Sequence, residues 1–287
     1  MRLPVIIGIL LLSLVAGTAQ VTVDIVLDQD QYLRDESMPV KVRITNRSGR
    51  TLKFGGTANW LNFTVENREG HEVARLGDVP VKEEFSVESS MVATRQVDIA
   101  PFFNLGTPGR YVVSAELKIP EWNQEIRSQP RNFAIARGAP LWEQIVGLPG
   151  SGSTTPELRK YVLQQANVKH LTLFVRVTDE NENKTFKLLP VGQMVSFSRP
   201  EPQVDKESNL HLLFQSGARS FVYAVVTPAG DMVLRQRHDY VGTRPTLRSS
   251  DDGRIGVAGG QRFFSKDDVP LPIAIGSTTN NVSAVTP

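Results

Sequence analysis

Short segments in which apolar and polar residues alternate dominate the first half of the chain. In the segments 21–27 and 40–45 every second residue is apolar. The same period of two recurs around Phe63 and Tyr111, and turn residues separate the segments. Because successive side chains of a strand point to opposite faces of a sheet, this pattern predicts about seven antiparallel strands that form a sandwich over residues 20–137.

Two segments of this first half resemble immunoglobulin-like domains. Residues 42–76 contain a strand ending in Asn-x-Ser, a second strand, a Phe-x-Val strand and a Gly turn, and they resemble bacterial domains of the intracellular-proteinase-inhibitor type. Residues 105–117 resemble the late hairpin of exported immunoglobulin-like domains, with Tyr111 in the place of the tyrosine corner. The resemblance implies an immunoglobulin-like sandwich. The chain lacks the Trp-rich segment of the inhibitor family, so protease inhibition does not carry over with the fold.

Residues 138–167 are interpreted as a linker with short helices between two domains. The segment 142–146 predicts one or two helical turns that end at Gly147. Thr155 followed by Pro156 is typical of the start of a second short helix. The glycines and serines between these segments favour a flexible connection, which places the domain boundary here.

Residues 168–265 again predict an antiparallel β domain. The run 221–226 is apolar on both faces, which is typical of a central strand buried on both sides. The segment beginning at Pro202 matches the segment beginning at Pro245 in its apolar and turn residues, and a related hairpin begins at His170. This repeat predicts two or three blade-like meanders. Residues 168–265 are too few for a complete propeller, which needs at least about four blades of roughly 40 residues.

Both ends of the chain are predicted to lie outside the folded domains. Residues 1–19 combine a basic residue at Arg2 with an apolar run and a small residue at Ala19, as in a cleaved signal peptide. The apolar run is shorter than the roughly 20 residues that span a bilayer, so no membrane span is expected. Residues 266–287 are rich in Pro, Ser, Thr and Asn, and we expect a disordered tail.

The cysteine count and the charge exclude several classes of function. The chain has no cysteine, which excludes a lipoprotein anchor, disulfides and thiol chemistry. The net charge is +2 and charges of both signs are interspersed, so neither nucleic acid nor an anionic membrane is an expected partner. Together with the predicted signal peptide, the absence of cysteine predicts a secreted or periplasmic bacterial protein.

Two motifs suggest chemistry but are better explained as turns. Ser249, Asp251 and Gly253 match the beginning of the Asp-box of sialidase blades, but the aromatic residue that should follow is missing. The acidic segment 179–183 is similar to the start of a calcium loop, yet Lys184 stands where such a loop needs Gly. Both segments are therefore predicted to be polar hairpin turns.

No catalytic, metal-binding or cofactor-binding residues are predicted. The four histidines, His71, His170, His211 and His238, are far apart in the sequence and none has a metal-binding spacing. No serine lies in the strand-turn-helix context of a nucleophile elbow. The sequence therefore predicts a protein that is not an enzyme and that needs no cofactor.

One tryptophan departs from the alternating pattern. Trp60 falls on the polar side of its segment with Asn62 and Thr64, which makes these three residues the candidate contacts for a ligand or partner. Two alternatives stay open. A bulge near Gly55 and Gly56 would turn Trp60 inward, or the second domain would cover it.

The sequence supports three hypotheses of function. The leading hypothesis is an exported, non-catalytic binding or structural module whose partner is an unknown protein or a glycan. The alternative is a carbohydrate-binding or carbohydrate-active accessory protein, because the repeat and the partial Asp-box are typical of sugar-active enzymes. A secreted proteinase inhibitor acting through the first domain is the third hypothesis.

Overall fold

A computed structural model describes residues 20–56, 59–81, 83–148 and 157–270. Almost all of its regular elements are β-strands in antiparallel sheets, which confirms the all-β class predicted from the alternating pattern. The strands form two halves that meet near residue 138. Among the described residues, no helix is long and apolar enough to cross a membrane.

The first half contains ten strands and two short 3-10 helices in its described residues. The strands are β1 (Val21–Leu27), β2 (Gln31–Leu33), β3 (Pro39–Asn46), β4 (Leu52–Phe54), β5 (Leu61–Asn67), β6 (Phe85–Val87), β7 (Val92–Asp98), β8 (Gly109–Ile119), β9 (Gln124–Arg127) and β10 (Arg131–Ala136). The 3-10 helices are Ala100–Phe102 and Pro120–Trp122. In β1, β3 and β5 buried residues alternate with more exposed ones, as their sequences predict.

Two sheets of the first half pack face to face around one core. The smaller sheet has the strand order β1-β3-β7, and the larger has the order β2-β10-β8-β5, with β9 also paired to β8. These pairs are antiparallel except for β2 and β10, which are parallel. Val23 and Val42 from the smaller sheet and Phe63, Val113 and Phe133 from the larger lie in the shared core. Their burial is the main source of stability in this half.

The second half contains eleven strands in its described residues. They are β11 (Ala139–Gly147), β12 (Leu158–Asn167), β13 (Leu171–Thr178), β14 (Thr185–Gln193), β15 (Glu201–Val204), β16 (Leu210–Gln215), β17 (Ser220–Val226), β18 (Met232–Asp239), β19 (Thr246–Ser249), β20 (Ile255–Ala258) and β21 (Gln261–Phe263). Nine of them form two antiparallel meanders, with the orders β11-β12-β13-β14 and β15-β16-β17-β18-β21, and β19 and β20 form a separate hairpin. Tyr161 and Val175 of the first meander share a core with Leu212, Phe214 and Ala224 of the second.

The central strand of the second meander is β17, as its doubly apolar sequence predicts. Val222 and Ala224 belong to the core shared with the first meander. Phe221 and Tyr223 point to the opposite face, where the hairpin of β19 and β20 covers them. The segment is therefore buried on both sides.

The predicted linker with short helices over residues 138–167 is wrong in its described part. Residues 139–147 and 158–167 are strands of the first meander, and residues 149–156, with Thr155 and Pro156, lie outside the described residues. A register shift after Pro140 turns Trp142 toward the core of the second half. Pairing with β12 gives β11 backbone hydrogen bonds along one edge, and this outweighs the weak local preference of residues 142–146 for helical turns.

The predicted disordered tail begins too early at residue 266. Val269 exchanges two backbone hydrogen bonds of 2.9 Å with Arg235 of β18, and the buried Asp268 carboxylate accepts a hydrogen bond of 3.1 Å from Arg262. These contacts hold the chain against the edge of the second meander as far as residue 270. Residues 271–287, like the predicted signal peptide at residues 1–19, lie outside the described residues.

The two halves contact each other through a small apolar cluster and an ion pair. Leu33 of the first half packs with Phe174 and Leu188 of the first meander. Beside this cluster, Asp35 forms an ion pair with Arg176. The outer face of the first meander is thereby covered in part by the first half.

Candidate functional site

The outer face of the larger sheet in the first half carries a row of polar residues. Because Phe63, Val65 and Val113 face the core, the residues between them on β5 and β8 face outward. Across this face Glu66 pairs with Val112, Val112 with Asn132, and Arg110 with Ala134. The face therefore presents a polar surface that the rest of the described chain leaves partly open.

A hollow of about 830 Å³ lies at one end of this outer face. We call it the sheet hollow, and its polar lining is Asp30, Gln31, Glu66, Asn67, Arg68, Arg110 and Asn132. Below it, the rings of Tyr111 and Phe133 stack with their centroids 5.5 Å apart. Val168, in the turn between β12 and β13 of the second half, closes one side. Strands of the sheet fix the positions of Gln31, Glu66, Asn67, Arg110 and Asn132, and loops supply Asp30 and Arg68.

Apart from Asn67, whose side-chain oxygen accepts from the Glu69 and His71 N–H groups, most polar side chains of the sheet hollow have no partner in the described chain. Gln31, Glu66, Arg68, Arg110 and Asn132 form no side-chain hydrogen bond or ion pair with any described residue, and the two arginines are exposed. Each guanidinium offers several donors in one plane, the carboxylate offers acceptors, and the amides offer both. The lining can therefore bind a ligand that both donates and accepts hydrogen bonds.

The charges of the sheet hollow are balanced. Arg68 and Arg110 contribute two positive charges, and Asp30 and Glu66 contribute two negative charges. The Tyr111 hydroxyl donates to the Thr107 carbonyl, and burial raises the pKa of Tyr111 above its usual value, so the phenol stays neutral. A neutral or zwitterionic polar ligand fits this balance better than a strongly charged one.

Comparisons with known proteins do not assign the chain to a family. No protein-family model matches it, and no curated protein matches it. One similar solved structure is Spo0M, a sporulation control protein from Bacillus subtilis, at 10% sequence identity and a TM-score of 0.32. The similarity covers 60% of this chain and 89% of that chain. A score of this size is too low to indicate a shared fold.

Trp60 does not face outward, and the alternative in which it turns inward is the correct one. Trp60 is buried, its ring packs against Phe54 and Phe85, and its indole N–H donates to the Val81 carbonyl. The residue precedes β5, and Asn59 has a positive φ of 70° that turns the chain before the strand begins. The alternation of β5 therefore does not extend to Trp60, which contributes to the core instead of to a surface.

Asn62 and Thr64, the other two predicted contact residues, do face outward. They are half-buried on β5, where they pair with Glu116 and Ser114 of β8. Both lie on the same face as Glu66 and lead along the strand toward the sheet hollow. The structure thus brings two of the three predicted contacts onto the face that carries the hollow.

The two motifs that suggest chemistry are hairpin turns. Ser249 ends β19, and the turn before β20 contains Gly253 with a positive φ of 82°. The acidic segment 179–183 connects β13 and β14, and the Lys184 N–H donates to the Asp179 carboxylate over 2.7 Å. Both predicted turns are confirmed.

The structure also brings together histidines that the sequence spacing separates. The rings of His211 and His238 lie with their centroids 6.0 and 6.4 Å from that of Tyr223 on the outer face of the second meander. The His211 ring nitrogens are 2.7 Å from the Tyr223 hydroxyl and 3.0 Å from the Asp205 carboxylate. No group of three or more His, Asp and Glu residues in the described chain is arranged to hold a metal ion.

Alternation alone could have placed His211 and Tyr223 on the apolar outer faces of β16 and β17. The register between strands, which the sequence does not state, decides that His238 joins them. The cluster is engaged within the protein, because Tyr223 also donates to the Ile255 carbonyl over 3.1 Å. It therefore differs from the sheet hollow, whose polar groups are open to a ligand.

Proposed function

We propose that this protein is an exported, non-catalytic binding module whose ligand site is the sheet hollow. The observation that supports this function is the convergence of Glu66, Arg68, Arg110 and Asn132 on one hollow without partners in the described chain. Polar side chains that have no partner in the described chain are suited to binding, because no hydrogen bond within the described chain has to be broken when a ligand arrives.

The proposal includes an immunoglobulin-like fold for the first half and export through the signal peptide at residues 1–19. Two sheets around one core support such a fold. The hydrogen bond from Tyr111 to the Thr107 carbonyl, four residues upstream, is the kind made by a tyrosine corner. Export predicts a mature chain that begins at Gln20 in a bacterial periplasm or culture medium, which mass spectrometry of cell fractions would detect.

The lining of the sheet hollow favours a neutral glycan as the ligand. Neighbouring hydroxyls of a sugar ring donate to a carboxylate and accept from a guanidinium or an amide, and the hollow offers all three groups. Its charge balance suits an uncharged sugar. This second, more specific proposal is the carbohydrate-binding hypothesis, with the residues of the sheet hollow as the glycan site.

Binding measurements on variants of the mature chain would test both proposals. A glycan array and a panel of envelope proteins would identify the ligand, and secreted proteases belong in the panel because inhibition is the remaining hypothesis. We expect Arg110→Ala and Arg68→Ala each to weaken binding about tenfold, which is ~1.4 kcal/mol. Arg43→Ala is the matched control, because Arg43 is an exposed strand residue of the other sheet.

The outcomes separate the two proposals. Binding of a non-sugar ligand that depends on Arg110 would keep the binding module and remove the glycan. Binding that is equally strong in Arg110→Ala and Arg43→Ala would place the ligand elsewhere and overturn the site. Turnover of any array component would overturn the non-catalytic function.

A further inference from the structure

The hairpin of β19 and β20 covers the outer apolar face of the second meander. Leu247 is buried against a cluster that includes Leu213, Phe221 and Val225. Beyond these apolar contacts, few hydrogen bonds attach the hairpin to the sheet, and the Ile255 carbonyl accepts one of them from Tyr223. The contact to Ile255 is therefore a substantial part of the polar attachment.

The neighbours of His211 determine which of its two ring nitrogens carries a hydrogen. The Asp205 carboxylate lies 3.0 Å from Nε2 of His211 and can only accept, so Nε2 carries a hydrogen. Although burial alone would raise it, hydrogen bonds from His211 and Asn209 hold the pKa of Asp205 below its usual value. Asp205 is thus anionic at neutral pH.

The Tyr223 hydroxyl has one proton for two neighbours. It lies 2.7 Å from Nδ1 of His211 and 3.1 Å from the Ile255 carbonyl, and burial raises the pKa of Tyr223 to about 12. If the proton goes to Ile255, Nδ1 must donate to the hydroxyl oxygen, and His211 is then an imidazolium. If His211 is neutral, the hydroxyl can donate only to Nδ1 or to the Ile255 carbonyl, and the other acceptor loses its donor.

We propose that His211 is a proton-operated latch that fastens the β19–β20 hairpin to the sheet through the Tyr223 hydroxyl. The protonated ring allows all three hydrogen bonds at once. With a neutral ring one of these hydrogen bonds is lost. When the Tyr223 hydroxyl donates to Nδ1, the bond to the Ile255 carbonyl breaks, which loosens the hairpin and increases exposure of the apolar face around Phe221. The attachment is therefore stronger when the His211 ring carries two protons and weaker when it carries one.

Other charged groups near the latch do not reverse this direction. Burial and the positive charge of Arg262 lower the pKa of His238, which favours its neutral form. Other titratable and charged groups on the elements around His211 include Tyr161 on β12, Glu201 on β15, Lys206 and Glu207 in the following turn, Arg235, Arg237 and Asp239 on β18, Asp268 beyond β21, and Arg248, Asp251, Asp252 and Arg254 on the hairpin. Carboxylates, ammonium groups, guanidinium groups and phenols do not ordinarily change charge between about pH 5 and 8, where imidazole does.

Hydrogen exchange of the mature chain tests the latch. After correction for intrinsic rates, peptides over residues 246–258 should exchange up to about tenfold faster at pH 8 than at pH 5.5. Tyr223→Phe keeps the ring and removes the hydroxyl, so it should abolish this pH dependence. His238→Gln is the matched control, because His238 contacts the same ring without bonding to the hairpin, and it should leave the dependence intact.

A nitrogen NMR titration of His211 provides a second readout in the unmodified protein. Its ring nitrogens should change from two protonated sites to one over the same pH range in which hairpin exchange accelerates. Exchange of residues 246–258 that does not change while His211 titrates would overturn the latch. A pH dependence that persists in Tyr223→Phe, or that disappears in His238→Gln, would also overturn it.

Discussion

A guanidinium nitrogen of Arg176 lies 3.0 Å from a carboxylate oxygen of Asp35, and this ion pair joins the two halves of the protein. The same oxygen accepts a hydrogen bond of 2.8 Å from the Thr185 hydroxyl. Arg176 has little exposure, and its other acidic neighbour, Glu182, is 4.0 Å away. Because the Thr185 hydroxyl oxygen also accepts from Arg176, the three residues form one hydrogen-bonded network in which Asp35 is the charged acceptor.

Asp35→Ala should destabilise the protein by about 1–2 kcal/mol. The substitution leaves the Arg176 guanidinium and the Thr185 hydroxyl short of an acceptor, and partial exposure of the pair keeps the cost below that of a fully buried one. Urea unfolding measures the effect. Asp28→Ala is the control, because its ion pair with Lys41 is solvent-exposed and should cost less than about 1 kcal/mol. Equal losses in the two variants would contradict the junction role.

Trp60→Ala should destabilise the protein by about 3–5 kcal/mol, since it empties a buried site between Phe54 and Phe85 and removes the donor to the Val81 carbonyl. Thr64→Ala, on the outer face of the adjacent strand, should change stability by no more than about 0.5 kcal/mol. Denaturant unfolding followed by tryptophan fluorescence measures the free energy of unfolding of each variant. A small effect of Trp60→Ala would show that this side chain is not part of the core.

Two glycines with similar backbone angles should respond differently to alanine. Gly49 and Gly55 have φ values of 78° and 92°, which cost an L-residue roughly 1 kcal/mol. A Cβ at Gly49 meets nothing within 4 Å, whereas one at Gly55 would lie 2.0 Å from the Glu83 carbonyl oxygen. Gly55→Ala should therefore lower the melting temperature clearly more than Gly49→Ala. The reverse order would show that the Gly55 turn adapts.

Asp205→Asn should flatten the acid side of the pH–stability curve. The pKa of Asp205 is lower in the folded protein than the usual value near ~4, so the unfolded chain binds the proton more tightly. The stability that this provides is present above about pH 4 and is lost as the pH falls. Thermal unfolding from pH 7 to pH 3 should show a smaller loss in the variant than in the wild type. Parallel curves would contradict a lowered pKa.

The sequence by itself determined the class of the fold and many of its strands. Alternation at 21–27 and 40–45 corresponds to β1 and β3, and the doubly apolar run 221–226 lies in the central strand β17. The turn at Gly253 was also readable from its residues. These features depend on local geometry, because the two-residue period of a strand and the backbone freedom of glycine are properties of short segments.

Only the tertiary structure decided which segments meet. Pairing with β12 makes residues 139–147 a strand, and a turn at Asn59 sends Trp60 inward. The register of β5, β8 and β10 places Glu66 and Asn132 around one hollow. Such positions depend on hydrogen bonds and packing between residues far apart in the chain, and a one-residue change of register would send each side chain to the opposite face.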